Sequence, residues 1–136
     1  MSVSPAQAPQ PLSFLAFDFG TRRIGVASGN SLTRTATPLT TVEAVGNARL
    51  AAIGRLIEEW RPAALVVGVP FHPDGAGHVN TQRARRFGRE LTSRFGLPVH
   101  EVDERYTTTA ARTAGEADLD AGAAAIILEQ HLAGLP

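Results

Sequence analysis

The 136-residue chain contains no cysteine and no lysine, and only one methionine, one tryptophan and one tyrosine. Without cysteine there is neither a disulfide framework nor a thiolate metal site. That is compatible with the cytosol, and a cytoplasmic protein is the expectation. The longest apolar runs are far too short to span a bilayer, which argues against a membrane partner. The formal net charge is zero, so global charge does not drive binding to nucleic acid. The first residues, MSVSPAQAPQPLS, lack the basic start and apolar stretch of a signal peptide. Rich in Pro, Ala and Ser, they read as a disordered arm over residues 1–12, ahead of one domain spanning 13–136.

What charge there is has a pattern. All 13 basic residues are arginine, and six of them fall between Arg83 and Arg105. A base-composition bias would account for the missing lysine but not for the clustering. Arginine suits bidentate contact with phosphate better than lysine does.

Hydrophobic patterning predicts the elements. Phe14 to Phe19 reads as a strand in which Phe14, Ala16 and Asp18 point one way and Leu15, Phe17 and Phe19 the other. A turn at Gly20-Thr21-Arg22 leads to a second strand, Ile24 to Ser28, and Thr-rich Thr33 to Thr37 is a candidate third. Leu50, Ile53, Leu56, Ile57 and Trp60 recur at helical spacing within Gly46 to Trp60, and Pro62 stops that helix. Leu65 to Val69 is an unbroken apolar run, the pattern of a strand buried on both faces. A loop over residues 72–77 precedes a helix from Asn80 to Phe95, where Ala84, Phe87 and Leu91 form one stripe and arginines the other side. A last strand, Val99 to Asp103, a weakly helical Thr107 to Ala117 and a strong helix from Asp120 to Leu132 complete the chain. The order implies an α/β fold: a mixed five-stranded sheet, three antiparallel strands and then two parallel, with helices on both faces.

Asp18 is the anomaly, because an ionised carboxylate at the end of a core strand is costly without a cationic partner. Asp103-Glu104 ends the last strand and reaches the same C-terminal rim, where ligands of α/β sheets gather. Asp120 opens the final helix and shares a face with Ala123, Ala124, Ile127 and Leu128, so that face carries it inward over the sheet. Carboxylates that converge repel one another unless a cation lies between them. An all-oxygen site suits magnesium or manganese. Simpler roles exist for each: Asp18 paired with Arg22 or Arg23, Glu104 paired with Arg105, Asp118 or Asp120 as a helix cap. Asp74 and Asp103 stand as rivals to Glu104, and strand alternation separates Asp103 from Glu104 without choosing between them.

Four stretches, FDFGTRRIGVA, VVGVPFHPDG, VDERYTT and LDAGAAAIILEQHL, resemble in order and spacing the YqgF family of bacteria, also called RuvX, the Holliday-junction resolvases. The resemblance runs from about Phe14 to Leu132. It implies a ribonuclease H-like fold and a divalent-metal-dependent nuclease that hydrolyses phosphodiesters with two magnesium or manganese ions. It assigns the acidic catalytic and metal-binding roles to Asp18, Glu104 and Asp120, and puts Arg22 or Arg23 beside the scissile phosphate; Arg83, Arg86 and Arg105 complete the expected nucleic-acid contacts. The first expectation is resolution of four-way DNA junctions in recombination and repair. A junction resolvase cuts two symmetric strands and needs a two-fold homodimer. The alternative is processing of the precursor of small-subunit ribosomal RNA, to which the same family is linked. The segment TAGEADL departs from the longer, Lys-rich one common in the family. Two readings of other classes remain open: a non-catalytic nucleic-acid-binding domain, and a nucleotide-binding lobe, since DFGTRR also resembles the phosphate hairpin of actin-like ATPases.

Overall fold

The computed structural model describes residues 11–70, 78–103 and 119–136. Five strands and three helices alternate along them: β1 (Ser13–Asp18), β2 (Ile24–Asn30), β3 (Ala36–Val42), α1 (Gly46–Trp60), β4 (Ala64–Val69), α2 (His78–Phe95), β5 (Val99–Asp103) and α3 (Leu119–Ala133). The sheet order is β3-β2-β1-β4-β5. β1 pairs antiparallel with β2 and parallel with β4, and β2 pairs antiparallel with β3. β5 pairs parallel with β4. The mixed sheet read from the sequence is therefore the observed one, with β1 at its centre.

Alternation along the strands divides the core in two. Leu15, Phe17, Ile24, Val26, Leu65 and Val67 pack with Ile53 of α1 and with Phe87 and Leu91 of α2. Phe14, Ala16, Ala64 and Val66 pack with Ile127, Leu128 and Leu132 of α3. Helices cover both faces, as the apolar stripes require.

The third strand is displaced from its expected position. It runs over Ala36–Val42 rather than Thr33 to Thr37. The cause lies in the preceding turn: Asn30 Oδ1 accepts the Leu32 and Thr33 N–H groups at 3.0 and 2.9 Å, and Arg34 takes φ 56°. An Asx turn of this kind satisfies the backbone locally and postpones sheet pairing. Pro38 is tolerated because β3 is an edge strand, and the register shifts between Val26 and Ala27 at a bulge. Of the expected N-terminal arm, residues 1–10 lie outside the described residues. Leu12 is tied to the fold: its N–H donates to Ser31 Oγ and its carbonyl accepts the Ser31 N–H, both at 2.8 Å.

Candidate active site

Asp18 ends the central strand, and both lateral neighbours lack side chains. Gly25 of β2 and Gly68 of β4 sit opposite it in register. Asp18 has the parity of Phe14 and Ala16, so it belongs to the α3 face. The N-terminal turn of α3 descends onto that spot. A Cβ on Gly25 would collide with the Asp120 carbonyl group and lie 2.8 Å from the Ala121 nitrogen. Glycine is required there because the backbones of β2 and α3 touch. Asp120 is thereby held over the residue paired with Asp18, and paired residues across an antiparallel ladder lie about 4.5–5.5 Å apart between Cα atoms. The helix keeps this position because Ala123, Ala124, Ile127 and Leu128, on the Asp120 face, are all buried.

The turn between β1 and β2 supplies the cations. Arg22 and Arg23 are exposed. The Arg23 Nε lies 3.3 Å from Asp120 Oδ2, with the two side chains 61% and 29% exposed. An ion pair this open contributes little stability, so Arg23 remains available for exchange with an anionic ligand. Gly20 closes the turn, since a Cβ there would strike the Arg23 carbonyl. Arg49 of α1, which sequence reasoning missed, holds the turn from below. Only 8% exposed, it donates from Nη2 to the Gly20 and Thr21 carbonyls at 3.2 and 2.9 Å, and from Nε to the Ala44 carbonyl at 2.9 Å. Its guanidinium also lies 5.7 Å from the centre of the Phe19 ring. Burial lowers its pKa, and Glu90 opposes that shift. Its helical position looked like any other arginine in the sequence; only the fold reveals that it faces the turn.

The arginines of α2 lie outward, as the stripe predicts. Arg83 and Arg86 are exposed and border a cavity shared with Phe19. Arg86 is also 3.7 Å from Glu90, one turn on, and Arg85 Nε donates to Glu101 Oε1 at 3.3 Å, tying α2 to β5.

The rivals separate on geometry. Asp103 is paired with Val69, and Val99 and Glu101 with Leu65 and Val67; all have the parity of the α1/α2 core, so Asp103 faces away from Asp18. Asp120 lies within the first turn of a helix that begins at Leu119, and its carboxylate pairs with Arg23. Glu104, Arg105, Asp74 and Asp118, together with the expected helix over 107–117, lie outside the described residues. Among the described residues no three His, Cys, Asp or Glu side chains group as a metal site. The two acids brought together, Asp18 and Asp120, fit a hard divalent cation: their donors are carboxylate oxygens, glycines flank Asp18, and Asp120 already holds a cationic partner.

A mixed five-stranded sheet in the order β3-β2-β1-β4-β5, with helices on both faces, is a ribonuclease H-like fold. In the same terms, the solved structure of T. thermophilus RuvC in complex with Holliday junction substrate is similar in fold, with a TM-score of 0.58 at 15% identity over 90% of this chain and 94% of that one. Residues 12–134 match the family model described as "RuvX: Holliday junction resolvase", and the chain belongs to the RuvX family. A relative from Polaromonas sp. (strain JS666 / ATCC BAA-500) is 64% identical over 124 residues, covering 91% of this chain and 90% of its own length. Another from Paraburkholderia phytofirmans is 56% identical over 135 residues, covering 94% and 92%. Both are named "Putative pre-16S rRNA nuclease". Among the described residues, no helix is long and apolar enough to cross a membrane.

Proposed function

We propose that this protein is a divalent-metal-dependent nuclease that hydrolyses phosphodiester bonds in the precursor of 16S ribosomal RNA. The observation that carries the nuclease reading is the contact between Gly25 and the Asp120 backbone, which brings Asp120 beside Asp18 at the sheet rim. The substrate reading draws on the relatives that match nearly their whole length and are named for that RNA. Support for a four-way DNA junction is weaker: it comes from the family description and from a fold likeness at 15% identity.

Asp18, Asp120 and Glu104 would hold magnesium or manganese; the parity of Asp103 with the α1/α2 core supports Glu104 over its neighbour. The bound ions would lower the pKa of water for attack and neutralise the leaving oxygen. The chain's own residues do the rest. Asp18, on the rigid central strand, sets the origin of the site. Asp120 is held at fixed height by the Gly25 contact. Arg23 exchanges its Asp120 pairing for a phosphate oxygen, and Arg22 beside it adds a second charge; guanidinium donors match phosphate geometry. Arg49 keeps both in reach by fixing the turn. Cleavage of precursor 16S RNA and of a four-way DNA junction, assayed side by side with magnesium and with manganese, tests this reading. Cleavage of the RNA at defined sites supports it; cleavage of the junction alone restores the recombination role and requires a two-fold dimer; cleavage of neither overturns it.

A further inference from the structure

A cavity of about 320 Å³ opens between α1 and α2 on the face of the sheet away from Asp120. Phe19, Asn47, Leu50, Arg83, Arg86 and Glu90 line it. Its wall begins with the residue that directly follows Asp18, so it borders the rim where the acids gather. The Phe19 ring is fixed between Phe87, at 5.3 Å, and the Arg49 guanidinium, which covers one of its faces at 5.7 Å from the ring centre. Two exposed arginines stand beside it.

The arginine-rich lining holds one carboxylate, Glu90, whose Oε1 lies 3.7 Å from Arg86 Nε. Glu90 would repel a phosphate, and its side chain is half exposed. A nucleobase edge rich in N–H donors is what a carboxylate accepts, and an unpaired base with its phosphates combines that edge with anionic ends. Single-stranded RNA is read in this manner: bases stack on aromatic rings or guanidinium planes and hydrogen-bond through their edges. The volume lies in the range of small-ligand sites.

We infer that this cavity is a subsite for one unpaired base of the RNA strand next to the scissile bond, stacked on Phe19, read by Glu90 and Asn47, and held through its phosphates by Arg83 and Arg86. The inference rests on the nuclease reading above and extends it to substrate choice. Guanine presents N1–H and N2–H2 side by side to one carboxylate and binds best. Uracil, whose single N–H is flanked by two carbonyl acceptors, binds worst.

The test uses the full chain and short fluorescent single-stranded RNAs that differ at one base, including an abasic version, with binding read by anisotropy in a metal-free buffer. The wild type binds the guanine RNA about tenfold tighter than the uracil or abasic RNA, the loss expected for one bidentate base contact. Glu90→Gln and, independently, Asn47→Ala bring the guanine RNA toward the level of the abasic one, without a change in melting temperature. Equal binding of all the RNAs by the wild type overturns the subsite, as does an unchanged preference in both variants. Cleavage of precursor RNA by the same preparations separates the two readings. Base preference without cleavage of any nucleic acid sinks the nuclease and leaves the subsite, while cleavage without base preference does the reverse.

Discussion

On the side of the sheet that carries α3, the strands present Ala16, Gly25 and Ala27 to a helix whose buried residues include Ala121, Ala123 and Ala124. On the opposite side, Leu15, Phe17, Ile24 and Val26 meet Ile53, Phe87 and Leu91. The second face is built mainly of large side chains, each worth about 1.5–3 kcal/mol when fully buried. Small ones give the first face something else: they let α3 approach until its backbone touches β2, which sets where Asp120 stands. Both faces hold the molecule together, and the α3 face also sets the position of a chemical group. Glycine appears on both, with different consequences, since Gly25 meets backbone while Gly54 of α1 meets the tip of a side chain.

Substitutions break this contrast by graded amounts. Asp18→Asn should have the largest effect. Cleavage should fall by more than about a hundredfold, beyond the loss typical of residues that merely support a metal ligand, while the urea unfolding midpoint stays near the wild-type value. A variant that cuts at the wild-type rate removes Asp18 from the site. Gly25→Ala comes next, because backbone atoms of Asp120 and Ala121 cannot swing aside as a side chain would. It should cost about 3 kcal/mol or more by overpacking, read by urea denaturation, and should abolish cleavage by lifting Asp120.

Arg49→Ala should cost about 3 kcal/mol, since three carbonyls lose a charged donor. Arg49→Lys should recover only part of this, because an ammonium is a compact charge and not a planar fork. Denaturation of the two variants in parallel measures the difference.

A smaller effect concerns pH. His131 stacks on His100 at 4.8 Å and meets Phe14 edge-on, and its Nε2 is buried with no hydrogen-bond partner among the described residues. Burial, and secondarily His100, lower its pKa. A base whose folded pKa lies below its unfolded value of about 6.5 binds fewer protons when folded. Its contribution is therefore complete above the unfolded pKa and is lost as pH falls through the folded one. The urea midpoint of the wild type should drop more between neutral and mildly acidic pH than that of His131→Leu. Equal drops would assign the pH dependence to other groups. The smallest change is Gly54→Ala. Its Cβ would lie 3.2 Å from Phe95 Cε1, a side chain able to give, and the helix gains up to about 1 kcal/mol in propensity. Stability should stay within about 1 kcal/mol of the wild type.

Much of this molecule could be read from residue patterns. The bounds of α1 and β5 are those expected, because Gly46 to Trp60 repeats at helical spacing before Pro62, and Val99 to Asp103 is bounded by Pro98. The inward face of α3 followed from the same spacing, and with it the approach of Asp120 to the sheet. Strand propensity puts β3 over the Thr-rich residues, whereas the Asn30 turn that outweighs it depends on one side chain's reach. Asp103 and Glu104 could not be separated from sequence, since alternation says only that neighbours differ; the pairing of Asp103 with Val69 gave the face of the first.

The sequence by itself determined the elements, the alternation that puts Asp18 with Phe14 and Ala16, and the family to which the chain belongs. Periodicity and local motifs are carried by neighbouring residues, so they are legible in one dimension. Only the tertiary structure decided that Asp120 stands over Gly25, that Arg23 pairs with it, that Arg49 supports the turn, and that Phe19, Asn47 and Glu90 share a cavity. Each of these is a meeting between segments remote in the chain. Such meetings are set by how closely packed elements can approach, and in this protein that distance is decided by glycine and alanine.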